Sequence, residues 1–282
     1  MTALGGDDVD PKLQLRVQRY GWDEAAPRYE AAWQAPLRPA HDTLLAMAEL
    51  CPGHHVIETA CGTGMATFRA SDAVGEDGRV LATDLSQGMV NEITRRAIEA
   101  GRSNITAARM SAEELSVEPG CFDRALCALG LMYVPDPARA LAELHRVLKP
   151  GGRATVTVWG ERRNCGWAEI FPIVDARVAS EVCPLFFGTG GQGVLKGLME
   201  GTGFVSVEER RQREVLRFDT GEDFVDAVVR AGPVALAVKR FPDAVMADVR
   251  DEFIESVKLF RSGDGVYRIP GEFVTVSSCT AS

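Results

Sequence analysis

The residues best suited to chemistry are Val56-Ile57-Glu58-Thr59-Ala60-Cys61-Gly62-Thr63-Gly64, an apolar run that passes into small residues and then a helical pattern. Ligands of open α/β sheets bind beyond the carboxyl ends of the strands, and Gly62 and Gly64 let the backbone approach a ligand that a Cβ would keep away. The segment therefore suits a nucleotide-like cofactor, although two glycines at this spacing also serve a plain strand-to-helix turn. A dinucleotide fingerprint would put Gly or Ala three residues after the second glycine, and position 67 is Thr, which counts against NAD. Asp84 closes the next apolar run about twenty residues on, where a carboxylate accepts both hydrogen bonds of a ribose diol. The same aspartate can cap the following helix together with Ser86, and the two roles are compatible.

Such residues need a scaffold that gathers strand ends, and the periodicities supply one. Short apolar strands are expected at 56–59, 80–83, 105–109, 124–129 and 154–159, with helices at 65–74, 87–100 and 137–148 between them. That alternation implies right-handed crossovers and a parallel sheet covered on both faces. Ahead of it, 11–20, 23–33 and 37–50 read as three helices, the first two forming an N-terminal cap over residues 1–36. Behind it the alternation weakens: a helix is expected at 167–182, a glycine-rich loop at 188–191, a helix at 194–200 and a sixth strand from 204 toward 218. Helices at about 222–240 and 244–260 precede a last strand at 273–277. One domain over 37–282, with helical insertions at about 160–190 and 222–262, is the simplest account.

Over about residues 20–159 the chain resembles the class I S-adenosylmethionine (SAM) dependent methyltransferases, and within them the group that includes the ubiquinone and menaquinone C-methyltransferases. The carriers are Glu58–Gly64 (ETACGTG), Thr83–Met89 (TDLSQGM), Ser111–Leu115 (SAEEL) and the long block Phe122–Gly152 that ends in RVLKPGG. The resemblance implies an α/β, Rossmann-like, seven-stranded and mostly parallel sheet with an antiparallel last strand. It also implies SAM as cofactor. Glu58, Ala60, Cys61, Gly62, Thr63, Gly64 and Thr67 would then serve its methionine part, and Asp84 its ribose. Leu85, Met89 and Met110 would sandwich adenine, whose edge Ser111, Ala112 and Glu113 would read. Cys127 would lie by the methionine chain, or simply be a small buried hydrophobe. Serine at 111 and alanine at 60 depart from the Asp and Gly common in the family, and alanine is comfortable only at negative φ.

Methyl transfer asks for alignment and desolvation more than for covalent help, because the sulfonium already activates the carbon. No general base stands out, and no catalytic residue is named: His145 falls in a helix, His54 and His55 in a turn and His41 in a preceding helix. Aromatic residues near the variable parts, Tyr20, Tyr29 and Tyr133 among them, are candidates for an acceptor pocket or for ordinary packing. The expected reaction is methyl transfer to O, C or N of a small, aromatic or polyketide-like molecule. The alternative is a SAM-binding protein that transfers nothing.

Composition narrows the partners. Thirty-one Lys and Arg against 40 Asp and Glu give a net charge of −9, which repels a phosphate backbone and disfavours nucleic acid. The first ten residues lack a basic stretch followed by an apolar core, and no run reaches the roughly 18 apolar residues of a membrane helix, so a cytoplasmic protein is expected. Seven cysteines without a C-x-x-C pair point to reduced thiols, and no metal-ligand spacing occurs. A homodimer is possible from sequence, with the inserted helices as one candidate surface.

Overall fold

The computed structural model describes residues 10–178 and 186–282. The reading of the first nine residues, and the end of the helix expected at 167–182, lie outside the described residues.

Seven strands form one sheet: β1 (His55–Thr59), β2 (Arg79–Asp84), β3 (Ile105–Arg109), β4 (Phe122–Ala128), β5 (Leu148–Trp159), β6 (Val205–Phe218) and β7 (Tyr267–Cys279). Their order is β3-β2-β1-β4-β5-β7-β6, with β1 to β5 parallel and β7 antiparallel to both β5 and β6. This is the expected Rossmann-like sheet. The chain reverses direction between β1 and β4, the switch point at which open α/β sheets hold ligands. β1 is apolar and buried because helices cover both faces: Ile57 belongs to one core cluster and Val56 to another.

The crossover helices are α2 (Thr67–Val74), α3 (Gln87–Glu99) and α4 (Pro137–Val147). α3 and α4 start on side-chain caps, Ser86 accepting from Met89 N and Asp136 from Arg139 N. α4 buries Ala140, Leu141, Leu144 and Val147, the one-sided stripe of a helix lying on a sheet. The Lys149-Pro150-Gly151-Gly152 segment, expected as a helix end, is instead the first part of β5, with an irregular register opposite Phe122–Arg124. There Lys149 Nζ pairs with Asp123 Oδ1 at 2.7 Å, and Asp123 Oδ2 accepts the His55 N–H at 2.8 Å. The most distinctive sequence block thus fastens β1, β4 and β5 at the edge away from the glycine turn.

The three expected N-terminal helices are one: α1 runs unbroken from Pro11 to Ala48, through Pro27, Pro36 and Pro39 and across the 36/37 boundary. Interior prolines cost hydrogen bonds, but tertiary packing overrides them, since Trp33, Pro36, Leu37, Ala40 and Leu44 are all buried. After β5 come α5 (Ile170–Asp175) and α6 (Val194–Gly201); β6 leads to α7 (Gly221–Val225), a π-helical turn at Asp226–Arg230, α8 (Ala235–Val238) and α9 (Asp243–Ser256). The single helix expected at 222–240 is broken in this way because the wider π turn redirects the chain at Ala231, whose N–H bonds Asp226 O. α1 packs along the sheet and against the π turn and α8, so the N-terminal helix and the second insertion roof the same end of the sheet. No helix among the described residues is long and apolar enough to cross a membrane.

Candidate functional site

At the carboxyl ends of β1, β2 and β4 the structure places a chamber whose empty space, open mouth included, is about 680 Å3. Its polar floor is Asp84, which is 7% exposed. Asp84 Oδ2 accepts the Gly62 N–H at 2.9 Å and Oδ1 the Ser86 N–H at 2.9 Å. Each oxygen retains acceptor capacity on a cavity it lines, so the group can still take both hydroxyls of a diol. Burial raises the Asp84 carboxyl to about 6, the two N–H bonds working against that shift.

The turn from β1 into α2 brings the backbone close to the chamber. Gly62 and Gly64 lie at φ +55 and +93, and a Cβ on Gly64 would meet Ile93 at 2.8 Å and Phe68 at 2.9 Å. Ala60 holds φ +52 without being glycine, a left-handed conformation that disfavours a Cβ. The turn after β4 makes room for it: a Cβ on Gly130 would stand 2.2 Å from that of Ala60, and Leu129 beside it is also left-handed at φ +57. Two non-glycine residues in strained conformations, both lining one chamber, are the kind of outlier that clusters at functional sites.

Of the residues singled out from sequence, Ala60, Gly62, Asp84, Leu85, Met89, Met110, Ser111 and Ala112 line this chamber, as do Tyr29 and Tyr133. The others stand behind it. Glu58 is 1% exposed and accepts from the Thr67 hydroxyl, and burial pushes its carboxyl up to about 8 despite that bond. Thr63 donates to Glu30, whose carboxylate also pairs with Arg96 at 2.8 Å. Cys61 is buried beneath the turn, its N–H on Thr83 O at 3.0 Å, and Gly64 N–H closes the turn on Cys61 O. Glu113 faces away: its Oε1 accepts the Asp136 N–H at 2.8 Å, and its own N–H bonds Ser111 Oγ at 3.2 Å. Cys127 is buried in β4 off the lining, and burial pushes its thiol up to about 11.

Tyr20 is not brought to the site. It is 49% exposed and lies under the Arg19 guanidinium. Helix geometry gives the reason: Leu15, Gln18, Trp22 and Tyr29 line the chamber at spacings of three, four and seven residues, hence on one face of α1. Tyr20, two residues beyond Gln18, points about 200° round the axis. Leu15, Gln18, Leu129, Gly130 and Val134 are lining residues that sequence reasoning missed. The α1 spacing was a usable signal for the first two, whereas the backbone angle of Leu129 has none. α1 is tied to the site by charge as well, since Asp23 Oδ1 accepts from Ser86 Oγ at 2.6 Å and Gly88 N at 2.9 Å.

A smaller and narrower chamber, about 290 Å3 with its open mouth included, shares Trp22, Tyr29, Leu129 and Tyr133 with the first and adds Trp33, Leu37, Met132, Trp159 and Trp167, with Gly232 and Pro233. Trp22 meets Tyr29 and Tyr133 edge to face at centroid distances of 5.6 and 5.0 Å. Burial, with Asp84 and Glu30 nearby, holds the Tyr29 phenol well above its ordinary range, so it stays neutral and can donate a proton to a hydrogen bond but not serve as a base. Among the described residues, no histidine lines either chamber. His41 is buried, which lowers its imidazole to about 4, and His145 meets Phe204 edge to face.

Comparison with known proteins agrees with this geometry. A methyltransferase domain family matches residues 56–152, the stretch that holds the glycine turn, Asp84 and the β4 turn. A demethylmenaquinone methyltransferase of Symbiobacterium thermophilum is 32% identical over 157 residues, 54% of this chain and 62% of that protein. An aklanonic acid methyltransferase of a Streptomyces species is 29% identical over 136 residues, 48% of this chain and 62% of the relative. The matched stretch thus spans less than two thirds of each relative. In fold, the chain is similar to phosphoethanolamine N-methyltransferase 2 of Haemonchus contortus, solved with phosphomonomethylethanolamine and S-adenosylhomocysteine, with a TM-score of 0.63 at 16% identity over 99% of this chain and 62% of that one. Residues 56–152, then, match a methyltransferase domain family, and the chain resembles the ubiquinone and menaquinone C-methyltransferase group.

Proposed function

We propose that the protein binds SAM in the larger chamber and transfers its methyl group to a small, apolar, aromatic or polyketide-like acceptor lodged against the aromatic wall. The observation that carries the reading is Asp84: a buried carboxylate at the end of β2, oriented by the Gly62 and Ser86 N–H groups and still able to accept a ribose diol. The donor set suits the rest of the cofactor. Leu85, Met89 and Met110 offer apolar faces to a base, Ser111 and Ala112 border its edge, and the Ala60–Gly64 turn brings backbone near the amino-acid part. The names of the relatives, which act on demethylmenaquinone and aklanonic acid, favour a small organic acceptor.

SAM, when bound, supplies a methyl group already activated on a cationic sulfur. The chain's own contribution is alignment and exclusion of water. Trp22, Tyr29 and Tyr133 stand between the two chambers and so border both cofactor and acceptor. Aligning two reactants can supply effective molarities of about 10⁵ to 10⁸ M, the larger part of what this chemistry needs. A neutral Tyr29 and the distance of the histidines from the chambers leave an acceptor that arrives nucleophilic or already ionised. Cytoplasmic placement is part of the same proposal, as is action without a nucleic acid or membrane partner; a homodimer also belongs to it.

Calorimetric titration with SAM and S-adenosylhomocysteine tests the binding, and incubation with methyl-labelled SAM and an acceptor panel tests the transfer. Failure of both ligands to bind overturns the reading. Binding with no S-adenosylhomocysteine formed from any acceptor favours the non-transferring alternative.

A further inference from the structure

All four tryptophans of the chain, Trp22, Trp33, Trp159 and Trp167, line the smaller chamber, although they lie as far apart in sequence as residues 22 and 167. Two of these indoles treat their N–H groups in opposite ways. Trp33 Nε1 donates to the carbonyls of Ala227 and Ala231, both at 3.0 Å, and so pins the π turn to α1. Trp167 is 1% exposed, yet its Nε1 has no hydrogen-bond partner among the described residues. A buried donor left unmade is costly, and a phenylalanine would fill much of the same space without that cost. The ring is also held in place, with Trp159 at 4.9 Å and Phe186 edge-on at 5.4 Å.

We infer that Trp167 is the specificity-determining donor of the acceptor chamber, its indole N–H bonding an sp² oxygen of a neutral, planar, conjugated ligand. The inference rests on the methyl-acceptor reading given above and adds the functional group that this wall selects. Three features of the lining support the ligand class. Its aromatic surfaces suit a flat apolar body. Among the described residues it contains no Asp, Glu, Lys, Arg or His, so a charged ligand would lose its hydration there without a compensating partner. Its unmet polar group is a donor, which matches an oxygen and repels a cation. Because an N–H prefers to meet a carbonyl oxygen near the plane of the C=O, this bond would also fix how the ligand is turned toward the larger chamber. Trp167 is therefore a positioning residue as well.

Fluorenone and fluorene are a matched pair of flat probes that differ by one carbonyl, and equilibrium dialysis reads their binding to wild type and Trp167→Phe. Wild type is expected to favour fluorenone by about three- to tenfold, the net worth of one buried hydrogen bond. Trp167→Phe is expected to abolish that preference, the two probes then binding equally whatever apolar contact the smaller ring gives up. Equal binding of the two probes to wild type, a preference that survives in Trp167→Phe, or tighter binding of benzyltrimethylammonium than of fluorenone would each overturn the inference. The wild-type comparison decides even where the variant fails to fold. S-Adenosylhomocysteine titrated into the same samples separates the two readings: a ketone preference without cofactor binding sinks the methyltransferase proposal and leaves the Trp167 assignment standing.

Discussion

The two chambers meet at a shared aromatic wall but are built by different means. The larger is made of strand ends and backbone: Asp84 closing β2, the Gly62 N–H, and turns held at positive φ by Ala60, Gly62 and Leu129. The smaller is made of side chains that α1, the β5 end and the insertions bring from distant parts of the chain. In the first, a buried carboxylate forms the floor and each oxygen of Asp84 already has a backbone donor; in the second, the described lining holds no charged side chain and one N–H is unmet. The contrast teaches that a site can recognise one ligand by what its backbone offers and another by what its packing withholds.

Removing the floor of the polar chamber should have the largest effect. Asp84→Ala deletes a charged acceptor, and since hydrogen bonds to charged groups are worth about 1.5–3 kcal/mol each, SAM affinity should fall by at least about a hundredfold in calorimetric titration. Fluorene binding in the aromatic chamber should stay as it was; parallel loss of both would show that the chambers are a single unit. Gly64→Ala should come next, through stability. The new Cβ enters the Ile93 and Phe68 side chains at φ +93, which together should cost about 3 kcal/mol in urea unfolding. A loss below about 1 kcal/mol would mean that the turn is not held by its neighbours.

The indoles sharpen the comparison from the other side. Trp33→Phe leaves the Ala227 and Ala231 carbonyls short of a donor and should destabilise the protein by about 1–3 kcal/mol. Trp167→Phe removes a donor that bonds nothing within the described fold and should cost clearly less by the same urea measurement. Equal losses would erase the distinction between a structural and a ligand-facing indole.

How much of this was legible in the sequence follows the same division. β3 was placed residue for residue at Ile105–Arg109, and the glycine turn and Asp84 were found at their strand ends, because each is a local pattern of apolar residues followed by a turn or cap. The antiparallel position of β7 came only from the family resemblance, since strand order is a nonlocal property. Sequence alone divides α1 into three helices because Gly21 and the prolines are local breakers, whereas the buried contacts that keep it continuous through them are made with residues some two hundred positions away, such as Ala227. Tyr20 was misplaced for the same cause: its helical phase against Trp22 means nothing until the helix is known to be continuous. Trp167 was passed over because an unmet donor is visible only when all its neighbours are in place.

Protonation offers a smaller and reversible way to break the polar chamber alone. Burial raises Asp84 to about 6 and Glu58 to about 8 in the free protein. Ribose hydroxyls donate to the carboxylate, so the cofactor favours deprotonated Asp84, and SAM affinity should rise with pH up to about 7, being about tenfold weaker at pH 5. The stability of the free protein should run the other way. Both carboxyls hold their protons more tightly folded than unfolded, so their contribution is fully present below the unfolded values near pH 4 and is lost as pH climbs through about 6 and then about 8. Denaturant midpoints across this range, in wild type and Glu58→Gln, check the second half: the variant should flatten the fall. Fluorene binding should be indifferent to pH throughout, because no carboxylate or imidazole among the described residues lines its chamber.

Ala60→Gly should have the smallest effect, and its sign is the informative part. Alanine at φ +52 bears a left-handed penalty of about 1 kcal/mol, which glycine would relieve. Glycine also gains freedom in the unfolded chain, which offsets part of that relief. The balance predicts a stability gain of about 0.5 kcal/mol by urea unfolding. The Ala60 Cβ, however, fills the space that the missing Cβ of Gly130 leaves, and so fixes the separation of the β1 and β4 turns. Removing it should let those turns approach or slacken, and SAM affinity should weaken even as the fold becomes more stable. Opposite signs in the two measurements would identify the strained alanine as a spacer that the polar chamber keeps for its ligand, while a loss of stability would show that the contact with Gly130 outweighs the backbone strain.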